Sequence, residues 1–165
     1  MKSIDNINQL NKSDFLSIFG NVFEKTEWIA EKVFELKPFK DFNDLSSKIL
    51  ELYEDCYKEK ISIILNSHPE LAVAKKLTHE SKLEQAGANL NECTVKEFEE
   101  FKKLNLEYKN KFGFPFIIAV KGKNKTEILN NFRQRILNDI ESEFEEAKKQ
   151  VKKIATFRLN EIINQ

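Results

Sequence analysis

Four groups of residues have the chemistry to act on a small polar molecule. The first is His68, in Asn66-Ser67-His68-Pro69-Glu70-Leu71. An imidazole transfers protons near neutral pH. Pro69 bars the residue before it from ordinary helical geometry, so His68 marks a break between helices. Proline suits the first position of a helix, so a new helix is expected to start at Pro69, with the imidazole near its positive end. The second group is Ser81, Glu84 and Gln85. On a helix, residues three and four apart share a face, so these three side chains project together with the small Ala88. Gly87 beside them permits close approach of a partner. The ordinary alternative is a solvated helix face.

The third group is a single residue, Arg158. The last helix carries Ile140, Phe144, Ala147, Val151, Ile154, Ala155, Leu159 and Ile162 on one apolar stripe. Arg158 lies four after Ile154 and four before Ile162, so it falls on that stripe. An inward guanidinium needs an anion or a set of carbonyls. A structural ion pair meets that need, and so does a planar ligand group held by paired hydrogen bonds. The fourth group is main chain. Lys111-Phe112-Gly113-Phe114-Pro115-Phe116-Ile117-Ile118-Ala119-Val120 is apolar yet interrupted by Gly and Pro. Its buried N–H and C=O groups cannot all pair within a helix. A bound polar ligand, or a core plug with satisfied turns, would complete them.

The elements that must position these groups are helical. Only 4 Gly and 3 Pro punctuate 165 residues, and 3.6-residue periodicity dominates. Ser13-Asp14 opens a helix with Phe15, Ile18, Phe19, Val22 and Phe23 on one face. A second helix carries Trp28, Ile29, Val33, Phe34 and Leu36 and stops before Pro38. One long helix is expected from Asn43 to Asn66, and one or two shorter ones from Pro69 to Ala88. Thr94-Val95-Lys96-Glu97 is a capping box whose helix ends by Gly113. Further helices span about 126–138 and 139–163. The reading is all-α: a single-domain helical bundle over residues 1–165, with one irregular apolar segment near 112–120.

Composition narrows the partners. Lys plus Arg number 27 and Asp plus Glu number 27. That balance argues against a nucleic-acid binder, which carries a basic excess. No apolar stretch is long enough to span a bilayer, and the first residues lack the apolar block of a signal peptide. The only cysteines, Cys56 and Cys93, form no Cys-x-x-Cys pair, so a cytoplasmic, reducing home is expected. His68 and His79 lack metal-ligand spacing, and His79, after Thr78 at a helix start, is expected at the surface. No phosphate loop or dinucleotide glycine motif is present.

In order along the chain, these pieces resemble the 2-oxo-4-hydroxy-4-carboxy-5-ureidoimidazoline (OHCU) decarboxylase family of urate degradation. The resemblance rests on His68-Pro69-Glu70-Leu71-Ala72, Leu77-Thr78 with Ser81 and Glu84-Gln85-Ala86, Tyr108 with Lys111-Phe112-Gly113-Phe114-Pro115-Phe116-Ile117, and Ile154-Ala155 with Arg158-Leu159. It covers most of the chain from His68 onward. It implies an all-α lyase of purine metabolism that decarboxylates OHCU to (S)-allantoin with no metal and no organic cofactor. It implies His68 as catalytic acid/base, Glu84 working beside it, and Arg158 as substrate-binding. Pro69, Ser81, Lys82, Leu83, Glu84 and Gln85 would line the pocket together with Phe116, Ile117, Ile118, Ala119 and Val120. The implied partner is a small-molecule ureidoimidazoline, with neither nucleic acid nor membrane, in a homodimer. Two departures are present. Ala72-Val73-Ala74-Lys75-Lys76 fills a segment where family members commonly carry a glycine, and Asn89 follows Gly87-Ala88 where small residues are common. Two other readings stand beside this one: a same-fold enzyme acting on another ureido compound, and a non-catalytic helical interaction module.

Overall fold

In the computed structural model the described residues are 3–72 and 78–164. They form nine α-helices and one 3-10 turn, with no strand among them. The all-α expectation is met. The chain divides into two compact units, Met1–Ser67 with Lys152–Gln165, and His68–Val151.

The first unit holds α1 (Ile4–Gln9), α2 (Lys12–Phe19), α3 (Glu27–Phe34), α4 (Phe42–Glu54), α5 (Lys58–Ser67) and the end of α9 (Ile140–Asn164). Helix α1 was not expected from the sequence. Ser3 caps it by accepting from the Asn6 N–H. Helix α2 begins earlier than Ser13-Asp14 suggests, because Asn11 is the cap and its side chain accepts from the Asp14 N–H. Its Phe15 and Phe19 rings lie 4.7 Å apart, and Phe23 stacks on Tyr53 at 4.7 Å. Asn8 holds the chain beyond α3 by both ends of its amide, donating to the Phe39 carbonyl and accepting from the Phe39 N–H, each at 2.8 Å.

The single long helix expected from Asn43 to Asn66 is instead two, α4 and α5. The break falls at Asp55, Cys56 and Tyr57, three residues of low helix propensity. Asp55 closes α4 through its N–H to the Glu51 carbonyl, and the Cys56 N–H turns back to Tyr53. Apolar periodicity persists through this break, so spacing alone does not reveal it.

The second unit holds α6 (His79–Gly87), a 3-10 turn (Leu90–Glu92), α7 (Val95–Phe112), α8 (Lys125–Arg135) and the first part of α9. The capping box at Thr94 and Glu97 is present in both directions, and α7 ends at Gly113 with φ +79. A second capping box, Asn124 with Glu127, starts α8. Tyr108, Phe114, Phe116 and Phe132 form an aromatic cluster, with Phe116 stacked flat on Phe132 at 3.9 Å and 9°. Along α9, Phe144, Ala147, Val151, Ile154, Ala155 and Leu159 are buried as the stripe predicts. Ile140, in the first turn, is exposed, and Ile162 near the other end is half-buried.

Candidate functional site

His68 follows the last residue of α5 and is 7% exposed. No helix begins at Pro69, contrary to the sequence expectation. Residues 69–72 are irregular, and Ala72 has φ +51. A left-handed residue ends any right-handed helix at that point. Without a helix there, no helix N-terminus bears on the imidazole from Pro69. The Nε2 atom of His68 is buried, and the residue has interactions of its own within the protein.

Two buried amides hold the backbone just after His68. Gln85 accepts from the Ala72 N–H at 3.1 Å and donates to the Glu70 carbonyl at 3.3 Å. Asn105, on α7, donates to the Leu71 carbonyl at 3.0 Å. Three consecutive residues are thereby fixed from outside, which keeps Ala72 in a conformation that costs a non-glycine residue about 1 kcal/mol or more. Residues 73–77, including Leu77 of the resemblance, lie outside the described residues.

Helix α6 starts where Thr78 accepts from the Ser81 N–H, and His79 at its first position is exposed, as expected. Ser81, Gln85 and Ala88 are buried and Glu84 is half-buried. The shared face is therefore an inward one, not a solvated one. Lys82 and Leu83 point outward, with Leu83 59% exposed. Gly87 has open space where a Cβ would stand, so it serves no close packing among the described residues.

Residues 114–120 are all buried, and 115–120 run without turn or bend. Two bonds from side chains meet this extended run. Arg135 donates through Nη1 to the Ile117 carbonyl at 2.7 Å, and Gln150 accepts from the Ala119 N–H at 2.9 Å. Arg135 also lies over the Phe116 ring, 4.4 Å from its centroid. Its charge is balanced by Glu143, fully buried: Nε donates to Oε1 at 2.8 Å. Nη2 is 2.6 Å from the same oxygen but off-axis for a hydrogen bond. Glu143 accepts as well from the Tyr108 hydroxyl at 2.6 Å and from Asn138 at 3.0 Å. Burial, and then the Glu143 carboxylate, push the Tyr108 phenol well above its ordinary pKa.

Arg158 belongs to the other unit. It is 3% exposed, so the inward reading holds. It donates through Nη1 to the Asn21 carbonyl at 2.9 Å and through Nη2 to Glu24 at 2.8 Å, and Glu24 is itself fully buried. The need that the sequence set for an inward guanidinium, an anion or a set of carbonyls, is met within the protein by the Glu24 carboxylate, with one carbonyl beside it. Among the described residues no three His, Cys, Asp or Glu side chains gather as metal ligands, and no helix is long and apolar enough to cross a membrane.

Sequence reasoning missed Asn105, Arg135, Glu143 and Gln150. A signal for two of them existed. Arg135 follows Ile128 and Phe132 at helical spacing, and Asn105 stands between Phe101 and Tyr108 in the same way.

The architecture thus defines an all-α protein with a histidine at an amide-clamped turn and a buried, main-chain-rich extended run. Comparison with known proteins gives that class its place. The family model described as OHCU decarboxylase matches residues 8–160. The chain is 38% identical over its whole length to the uric acid degradation bifunctional protein of Bacillus sp. (strain TB-90), of which it spans 33%. It is 33% identical to the 2-oxo-4-hydroxy-4-carboxy-5-ureidoimidazoline decarboxylase of Haloferax volcanii, covering 96% of this chain and 95% of that one. Its fold resembles the crystal structure of (S)-allantoin synthase with a TM-score of 0.77 at 24% identity, over 98% of this chain and 54% of that one. The chain belongs to the OHCU decarboxylase family.

Proposed function

We propose that the chain, acting as one domain over residues 1–165, decarboxylates OHCU to (S)-allantoin and carbon dioxide. The observation that carries this is the family match over residues 8–160, which takes in His68, α6, the extended run and Arg158 in order. The chemistry suits such a site. Losing carbon dioxide leaves an electron pair on a ring carbon, and neighbouring unsaturation spreads that charge. The protein must orient the carboxylate, stabilise the developing charge and deliver a proton to one face. His68 delivers the proton, from a backbone held rigid by Gln85 and Asn105. Glu84 orients the imidazole or the substrate beside it. Arg158 binds a planar polar part of the substrate, and the main chain of residues 116–120 reads its ureido and ring groups. Pro69, Ser81, Lys82, Leu83 and Gln85 border the pocket. The enzyme works as a cytoplasmic homodimer without metal or organic cofactor.

The test is to add the protein to freshly generated OHCU and follow the optical activity of the allantoin formed. The expected outcome is rapid formation of the S enantiomer and a rate reduced by about 100-fold or more in His68→Ala. Racemic product at the spontaneous rate, or full activity in His68→Ala, sinks the proposal.

A further inference from the structure

An extended chain has two edges, because successive residues point their N–H and C=O groups to opposite sides. Ile117 and Ala119 share one edge. It is taken by Arg135 at the Ile117 carbonyl and by Gln150 at the Ala119 N–H. In a run without turn or bend, strand-like alternation puts the groups of Ile118 on the other edge. Ile118 is 4% exposed, and among the described residues its N–H and C=O have no hydrogen-bond partner. Buried main-chain groups are nearly always paired, so an edge left open calls for a partner from outside the chain.

The two side chains on the occupied edge are themselves aimed by groups behind them. Glu143 holds Arg135 and is held by Tyr108 and Asn138. Gln150 donates to Glu146 at 2.7 Å, which decides that its oxygen, not its nitrogen, faces the chain. A core plug would need only apolar packing here. A buried guanidinium and a buried amide, each with its own backing carboxylate, instead set the rotation of the run about its axis.

We propose that Arg135 and Gln150 are positioning residues for the reaction: by fixing Ile117 and Ala119 they turn the N–H and C=O of Ile118 toward the ureido group of the substrate. Neither touches substrate. The inference rests on the reading that residues 116–120 bind substrate. It goes beyond that reading in naming the edge and the residues that fix it. Loosening the anchor weakens binding of ground and transition states together, so KM rises more than kcat falls.

Three variants test this. Gln150→Met keeps the volume and removes the acceptor, Gln150→Glu paired with Glu146→Gln keeps both the acceptor and its backing hydrogen bond with the partners exchanged, and Arg135→Lys keeps the charge beside Glu143 but not the fork. KM, kcat and Tm are measured for each, with amide hydrogen exchange at Ala119 followed by NMR. For a folded Gln150→Met the expectation is faster exchange at Ala119, KM raised roughly tenfold and kcat within roughly threefold. The exchanged pair Gln150→Glu with Glu146→Gln should restore most of the KM. A Gln150→Met protein with lowered Tm but unchanged KM overturns the proposal, as does an exchanged Gln150→Glu, Glu146→Gln protein no better than Gln150→Met. If the wild-type chain does not turn over OHCU, the functional reading fails on its own account. Exchange then decides the anchor, with unchanged Ala119 exchange in Gln150→Met overturning it.

Discussion

Arg135 and Arg158 are built alike and stand in different units. Each is nine-tenths buried or more, each faces a fully buried glutamate, and each gives one Nη1 hydrogen bond to a backbone carbonyl. What surrounds them differs. Around Arg135 the glutamate also takes a tyrosine and an asparagine, the guanidinium lies on Phe116, and the carbonyl it holds belongs to the extended run. Around Arg158 the carbonyl belongs to Asn21, just after α2, and the glutamate is Glu24. A buried arginine is thus no signature of ligand binding by itself, since an internal anion and a carbonyl satisfy it. Its role follows from what its carbonyl partner does. The proposed function gives Arg158 to substrate, and the hydrogen bond to Ile117 ties Arg135 to the segment proposed to meet substrate.

The largest effect that can break this comparison is loss of stability at Arg135. Arg135→Met leaves Glu143 buried with no cation, which should cost about 3–5 kcal/mol in urea unfolding. Adding Glu143→Gln should return much of it, because the stranded charge is gone. A stable single variant would mean that Arg135 is not the counter-charge the distances indicate.

A somewhat smaller effect separates the two arginines by function. Arg158→Lys keeps a cation beside Glu24 but loses the planar fork. Activity on OHCU should fall by about 100-fold, equivalent to about 2.7 kcal/mol, while Tm drops only a few degrees. Activity close to wild type would make Arg158 a structural twin of Arg135 and leave substrate binding to other groups.

The smallest effect is a pH dependence. The folded state raises the Tyr108 pKa, so the stability this residue contributes is complete below its ordinary value near 10 and is lost as pH climbs above it. Wild-type stability should fall above about pH 10, and Tyr108→Phe, starting about 1 kcal/mol lower, should fall less steeply. Parallel curves would remove Tyr108 from the network around Glu143.

The fold class was legible because 3.6-residue periodicity and caps such as Thr94 with Glu97 are local. Arg158 was legible as an intruder on an otherwise apolar stripe. Arg135 obeys the same rule after Ile128 and Phe132, but α8 is short and carries Asn130, Asn131, Arg133 and Gln134 around it, so one more polar residue did not stand out. The amide clamp on residues 70–72 was not legible at all. It depends on Gln85 and Asn105 reaching residues 13 or more positions away, and on a left-handed Ala72, neither of which leaves a periodic trace. The break between α4 and α5 was hidden for the opposite reason: the apolar spacing runs straight through it.

One consequence of the extended run concerns how such a surface can change over generations. The polar groups of Ile118 are main-chain atoms, so every amino acid except proline would offer the same donor and acceptor there. Substitution at that position can alter bulk but cannot rewrite its hydrogen-bonding vocabulary. On the proposed reading, what the run recognises is therefore insulated from point mutation along its own length and adjustable from behind, through Arg135 and Gln150.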